Sequence, residues 1–151
     1  MYTITMLVSC IVLITSLTIC GDQQRFINRT IKGKTTVTSE WMQITLDKPL
    51  KPERDVQVIM LYLEEPYVGD FEAKAVRLPD GTLVQPEVQL LDTAGKTYTL
   101  KYYGFFGRKL IMFTLPDELM GRDYSTVRLR SDKPIRCKEI IWRCFYWREI
   151  H

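Results

Sequence analysis

The strongest constraint on the fold is the rhythm of turn residues after position 35. Lys48-Pro49, Lys51-Pro52, Glu64-Glu65-Pro66, Pro79-Asp80-Gly81, Asp92-Thr93-Ala94-Gly95 and Asp132-Lys133-Pro134 interrupt the chain at short intervals. The stretches 104–108 and 116–122 read as loops by the same logic. Pro fixes φ and Gly supplies positive φ, so such clusters end regular elements. What lies between them is mostly strand-length. In 36–46, Met42, Ile44 and Leu46 alternate with Trp41, Gln43 and Thr45, the period of a half-buried strand. The run 55–63 (DVQVIMLYL) is almost continuously apolar, as a central strand covered on both faces would be. Further strands are expected at 71–78, 82–91, 96–103, 109–115 and 125–131. Pro86 lies inside the fourth of these eight, which marks it as an edge or bulged strand.

The last segment, 135–150, has two readings. Cys137, Ile140, Ile141, Cys144 and Phe145 fit a helical stripe. The density of Ile, Trp, Phe and Tyr, with no clear helix cap, favours a long closing strand instead. The expectation is therefore an all-β fold: an antiparallel two-sheet sandwich of about eight strands, near a jelly roll in layout.

Before this fold lies a different kind of chain. Residues 1–20 carry no charge, so all 21 Lys and Arg and all 18 Asp and Glu lie in the rest. Twenty apolar and hydroxyl residues wound as a helix span about 30 Å, enough for a bilayer core. Three readings stay open: a signal peptide, a retained anchor, or a lipidated N-terminus. No Lys or Arg precedes the run, and Arg25, Arg29, Lys32 and Lys34 follow it. Leu17-Thr18-Ile19-Cys20-Gly21 resembles the bacterial lipobox. Leu17, Thr18 and Cys20 match it, and Ile19 departs from it. That resemblance implies lipid attachment at Cys20. The expected organisation is a hydrophobic helix over 1–20, a polar tether over 21–35 and a β-sandwich domain over 36–151. The domain is expected to be exported: periplasmic, at the cell surface or extracellular, and membrane-associated through its first segment.

The composition excludes much chemistry. The single His is the last residue, His151, so His-based triads and His-rich metal sites have no material. There is no GxSxG, GxGxxG or GxxxxGK[ST], hence no expected nucleotide or other cofactor. A net charge of +3 is too mild for a nucleic-acid partner. Cys137 and Cys144 are seven residues apart with no turn residue between them. On a strand that is about 23 Å, far beyond disulfide reach, so no disulfide is expected. Their spacing is also not a zinc signature. The carboxylates Glu64, Glu65, Asp70 and Glu72 cluster in sequence, as a solvated acidic loop would.

The segment 101–109 (KYYGFFGRK) is the candidate recognition site. Tyr102, Tyr103, Phe105 and Phe106 stand around two glycines, with Arg108 beside them. Aromatic faces stack on sugar rings, and Arg donates to planar anions. The competing reading is that Tyr102 and Phe105 pack inward to close one end of the sandwich. The expected function is a non-catalytic binding module, with glycans as the candidate ligand. The alternative is a structural or assembly partner in an envelope complex, using a sheet edge or aromatic patch.

Overall fold

The computed structural model describes residues 26–52, 55–70, 75–106 and 109–146. Over these residues the protein is all-β, and every strand pair is antiparallel. The apolar run at 55–63 is β4 (Val56–Leu63), and it is central as its sequence demands. It lies between β11 (Leu110–Thr114) and β13 (Ile135–Phe145). β10 (Lys101–Phe106) pairs with β11, and β1 (Phe26–Lys32) pairs with β13. β2 (Thr35–Val37) also pairs with β13. A second sheet runs β3 (Met42–Leu50), β12 (Tyr124–Ser131), β8 (Pro86–Asp92), β9 (Thr97–Thr99). A third holds β5 (Val68–Asp70), β6 (Ala75–Arg77) and β7 (Leu83–Val84).

One buried apolar cluster draws on all three sheets. It includes Ile59, Leu61, Ile111, Phe113, Ile140 and Trp142 from the first, Val88, Leu90, Val127 and Leu129 from the second, and Val76 and Val84 from the third. Each such side chain contributes roughly 1.5–3 kcal/mol by leaving water. A smaller cluster of Val56, Val58, Met60 and Phe145 includes the alternate residues of β4, so that strand is apolar on both faces.

Thirteen strands, rather than about eight, occur among the described residues. Three of the expected strands are each split where the chain changes sheet. β2 belongs to the first sheet and β3 to the second; β7 belongs to the third and β8 to the second; β9 belongs to the second and β10 to the first. At the β9–β10 change Leu100 is buried, and its N–H donates to the Val88 carbonyl at 2.9 Å. At the β7–β8 change Pro86 has no N–H and so needs no acceptor, and the Gln85 N–H donates to Asp132 Oδ1 at 2.7 Å. The expectation from Pro86 is corrected here: β8 is an interior strand, and Pro86 is merely its first residue.

Two further strands were not expected. β5 follows the Glu64-Glu65-Pro66 break. β1 lies within the segment 21–35 read as a polar tether, and β2 begins at its last residue. β1 alternates: Ile27, Arg29 and Ile31 are half-buried, whereas Asn28, Thr30 and Lys32 are exposed. Two isoleucines were too few to stand out among Asn28, Arg29, Thr30 and Lys32, yet β13 supplies a ready-made ladder for them. The hydrophobic helix expected at 1–20, with Cys20, lies outside the described residues. No helix among the described residues is long and apolar enough to cross a membrane.

The segment 135–150 is strand as far as Phe145, and its helix-like stripe has a physical cause. The register against β4 shifts between Cys137 and Glu139, leaving Lys138 as the extra residue of a bulge. A bulge flips the parity of all that follows. Ile135 and Cys137 face the core before it, and Ile140, Trp142 and Cys144 after it. Two period-two runs joined out of phase produce a spacing of three that imitates a helix.

The turn signals hold where hairpins were expected. Gly81 and Gly95 sit at φ 88° and 85°, the left-handed region that other residues avoid. Asp92 organises the second turn: Oδ1 accepts from the N–H groups of Ala94 at 3.0 Å and Lys96 at 2.9 Å, and Oδ2 from the Tyr98 hydroxyl at 3.1 Å. Burial pushes this carboxyl upward, but those donors and Arg122 outweigh it and hold it below the ordinary carboxylate value.

Candidate functional site

β10 positions the candidate aromatic residues, and its register against β11 shifts between Tyr102 and Gly104, which leaves Tyr103 as the extra residue of a bulge. Tyr102 is half-buried and packs against the main core. Its ring meets Phe113 edge to face at 5.9 Å and 82°, and its hydroxyl lies 3.4 Å from the Ala75 carbonyl. Tyr103 faces outward and is 45% exposed, one of two large hydrophobic residues exposed among those described. Residues 104–106, expected in a loop, continue β10, with Phe105 opposite Ile111 and Phe106 opposite Leu110. The side chains of Phe105 and Phe106, and all of Arg108, lie outside the described residues.

A groove of about 240 Å³ runs beside Tyr103. Lys101, two residues away on the same strand, and its cross-strand partner Thr114 form one wall. Asp55, at the entry to β4, stands on another. The third comes from a single 3₁₀ turn, Asp117–Leu119, which supplies Asp117 and Glu118. That turn is closed by the Leu119 N–H donating to the Pro116 carbonyl at 3.0 Å. It is fixed from below by Tyr124, a fully buried side chain whose hydroxyl donates to the Leu119 carbonyl at 2.6 Å. Asp55, Lys101, Asp117 and Glu118 are exposed. The groove thus offers one aromatic face, three carboxylates and one ammonium. Carboxylates accept hydrogen bonds from hydroxyl donors, and the ammonium donates to hydroxyl or carbonyl oxygen.

Of the acidic cluster at 64–72, the side chain of Asp70 and all of Glu72 lie outside the described residues. Glu64 faces Lys34 at 3.1 Å and Arg136 at 3.8 Å, and Glu65 pairs with Arg136. The two carboxylates gather around cations. Among the described residues no three His, Cys, Asp or Glu side chains group to hold a metal ion. Cys137 and Cys144 are both buried as thiols. Burial, with a smaller contribution from the Glu64 charge, pushes the Cys137 thiol up to about 12. Cys144 donates to Gln57 Oε1 at 2.5 Å, a polar pair deep under β13.

The sequence reading passed over Trp41. The guanidinium carbons of Arg128 and Arg130 lie 4.6 and 4.4 Å from its ring centroid. Arg130 in turn pairs with Glu87, its neighbour across the ladder. The alternation of Arg128 and Arg130 with Val127 and Leu129 was visible, but not that Trp41 would lie beside them. Both guanidinium groups stack on the Trp41 ring, although the buried Arg128 Nε has no hydrogen-bond partner, so the cluster reads as a brace over the outer face of the second sheet. Asp55 was missed, and Asp117 and Glu118 read only as an adjacent pair of carboxylates, because no spacing rule joins their loops to Tyr103.

Comparison of the chain with protein-family models, with curated proteins and with solved structures finds no match in any of the three.

Proposed function

We propose that the protein is a non-catalytic binding module that takes neutral glycans in the groove beside Tyr103. The two larger sheets are read as the leaves of a sandwich near a jelly roll in layout. The single core drawn from both, and the three points where the chain leaves one sheet for another, support that reading. The module is read as exported and held at an envelope by residues 1–20, whose lack of charge supports a membrane role.

The observation that carries the binding reading is the exposed Tyr103 ring beside Asp55, Asp117 and Glu118. A pyranose presents an apolar C–H face to such a ring and hydroxyl donors to carboxylates at its edge. Three carboxylates against one ammonium disfavour an acidic sugar, which selects neutral glycans within the class. Tyr102 serves the core in this account and takes no part in recognition.

A glycan array probed with the folded chain tests the reading. Binding to neutral oligosaccharides is expected, at least tenfold weaker for Tyr103→Ala, with the melting temperature held. A silent array, or binding unaffected by Tyr103→Ala, overturns it. The alternative is an assembly partner that adds a strand to β10, an edge of its sheet among the described residues. A silent array together with a crosslinked protein partner at β10 would favour that alternative.

A further inference from the structure

At the opposite edge of the first sheet a second cavity, of about 400 Å³, opens between β1 and the end of β3. Its floor is apolar. Ile27 and Cys144 are cross-strand partners, as are Arg29 and Trp142 next to them, and Leu50 closes the far side. Leu50, Trp142 and Cys144 are each at most 2% exposed. Its rim is cationic: Arg29, Lys48 and Lys51 line the mouth. Arg29 lies on the inward face of β1 and reaches across to β3. Its Nη2 donates to Asp47 Oδ1 at 2.8 Å and its Nη1 to the Pro49 carbonyl at 3.3 Å. Asp47 thus offsets one of the three charges at the mouth. Lys51 stands 3.9 Å from Asp123, too far for a strong bond, and remains 63% exposed. Lys48 is exposed as well.

An apolar floor beneath a cationic rim matches a ligand with an apolar tail and an anionic head. The volume lies within the range of small-molecule sites. The geometry points to this cavity as a binding site for an amphipathic anion, an acyl chain bearing a terminal carboxylate, with the chain against Ile27, Leu50 and Trp142 and the head between Lys48 and Lys51. The site is independent of the groove beside Tyr103, since the two share no lining residue. Burial of the chain supplies the affinity, and the two lysines supply the preference for an anionic head.

Calorimetric titration of the full chain with decanoate tests the assignment. Decanoate is expected to bind, more weakly as salt rises. Hexanoate is expected to bind at least tenfold more weakly because it buries less chain. Decyltrimethylammonium, with the same tail and opposite charge, is expected not to bind. Lys48→Gln/Lys51→Gln alters only exposed side chains and is expected to weaken decanoate at least fivefold while leaving 1-decanol unchanged. Decyl phosphate binding like decanoate supports a head-group site that accepts either anion. Binding of inorganic phosphate alone at comparable strength overturns the proposal, since it would mean a simple ion site. Equal binding of decanoate and decyltrimethylammonium, or no decanoate binding, overturns it too.

Discussion

Tyr102 and Tyr103 are adjacent, chemically identical and predicted to behave oppositely on truncation. Tyr102 is half-buried against the core and meets Phe113 edge to face. Removing a fully buried large aromatic ring costs about 3–5 kcal/mol. Scaling for half burial leaves about 2 kcal/mol, of which the Phe113 contact accounts for roughly 0.5–1.5 kcal/mol. The 3.4 Å approach of its hydroxyl to Ala75 is long and adds little. For a fold of this size, about 2 kcal/mol lowers the melting temperature by roughly 8 °C. Tyr103 is 45% exposed, and its truncation should stay within about 0.5 kcal/mol, or roughly 2 °C. Thermal unfolding of Tyr102→Ala and Tyr103→Ala, followed by circular dichroism, measures both. Equal losses, or a larger loss for Tyr103→Ala, would refute the facing of β10 on which the binding reading stands.

Other perturbations test the frame that holds the groove. Deleting Lys138 closes the bulge into a regular ladder, because Cys137 already stands opposite Leu63 and Glu139 opposite Tyr62, and it leaves Ile140 and Trp142 facing the core. The expected cost in urea unfolding is within about 1 kcal/mol, and Lys138→Ala should stay within about 0.5 kcal/mol; a loss above about 4 kcal/mol on deletion would contradict the bulge register. Tyr124→Phe removes the bond to Leu119 under the 3₁₀ turn and should cost about 1–2 kcal/mol by the same measurement. Cys137 is held neutral in the fold, with a pKa raised from 9.0 to about 12. Its contribution to stability is therefore complete below about pH 9 and is lost as pH rises towards 12. Denaturant midpoints between pH 8 and 11 should fall, and the slope should shrink in Cys137→Ala; an unchanged slope would contradict the assignment.

The strands that could be read directly were those whose environment is uniform. β4 is apolar on both sides, so its residues announced a central position. β13 was harder because its phase reverses at Lys138. β12 shows a similar reversal, with Thr126 and Val127 both buried at a register shift. Period-two arguments fail at such points because a bulge adds a residue without any turn signature. Sheet changes at Leu100 and Gln85 were invisible for a related reason: a chain can pass from one ladder to another while staying extended. At the candidate site, Tyr103 was legible from the aromatic density of 101–106. Its opposite number Tyr102 could be separated from it only once the strand's facing was known. The carboxylates around the groove come from loops that only tertiary folding brings together.

The most direct measurement is saturation-transfer difference NMR of the full chain with a pool of neutral oligosaccharides. The account predicts saturation on the C–H face of a sugar ring, retained in Tyr103→Phe, which keeps an aromatic ring, and lost in Tyr103→Ala. Transfer that survives Tyr103→Ala, or none from the native chain, would contradict it.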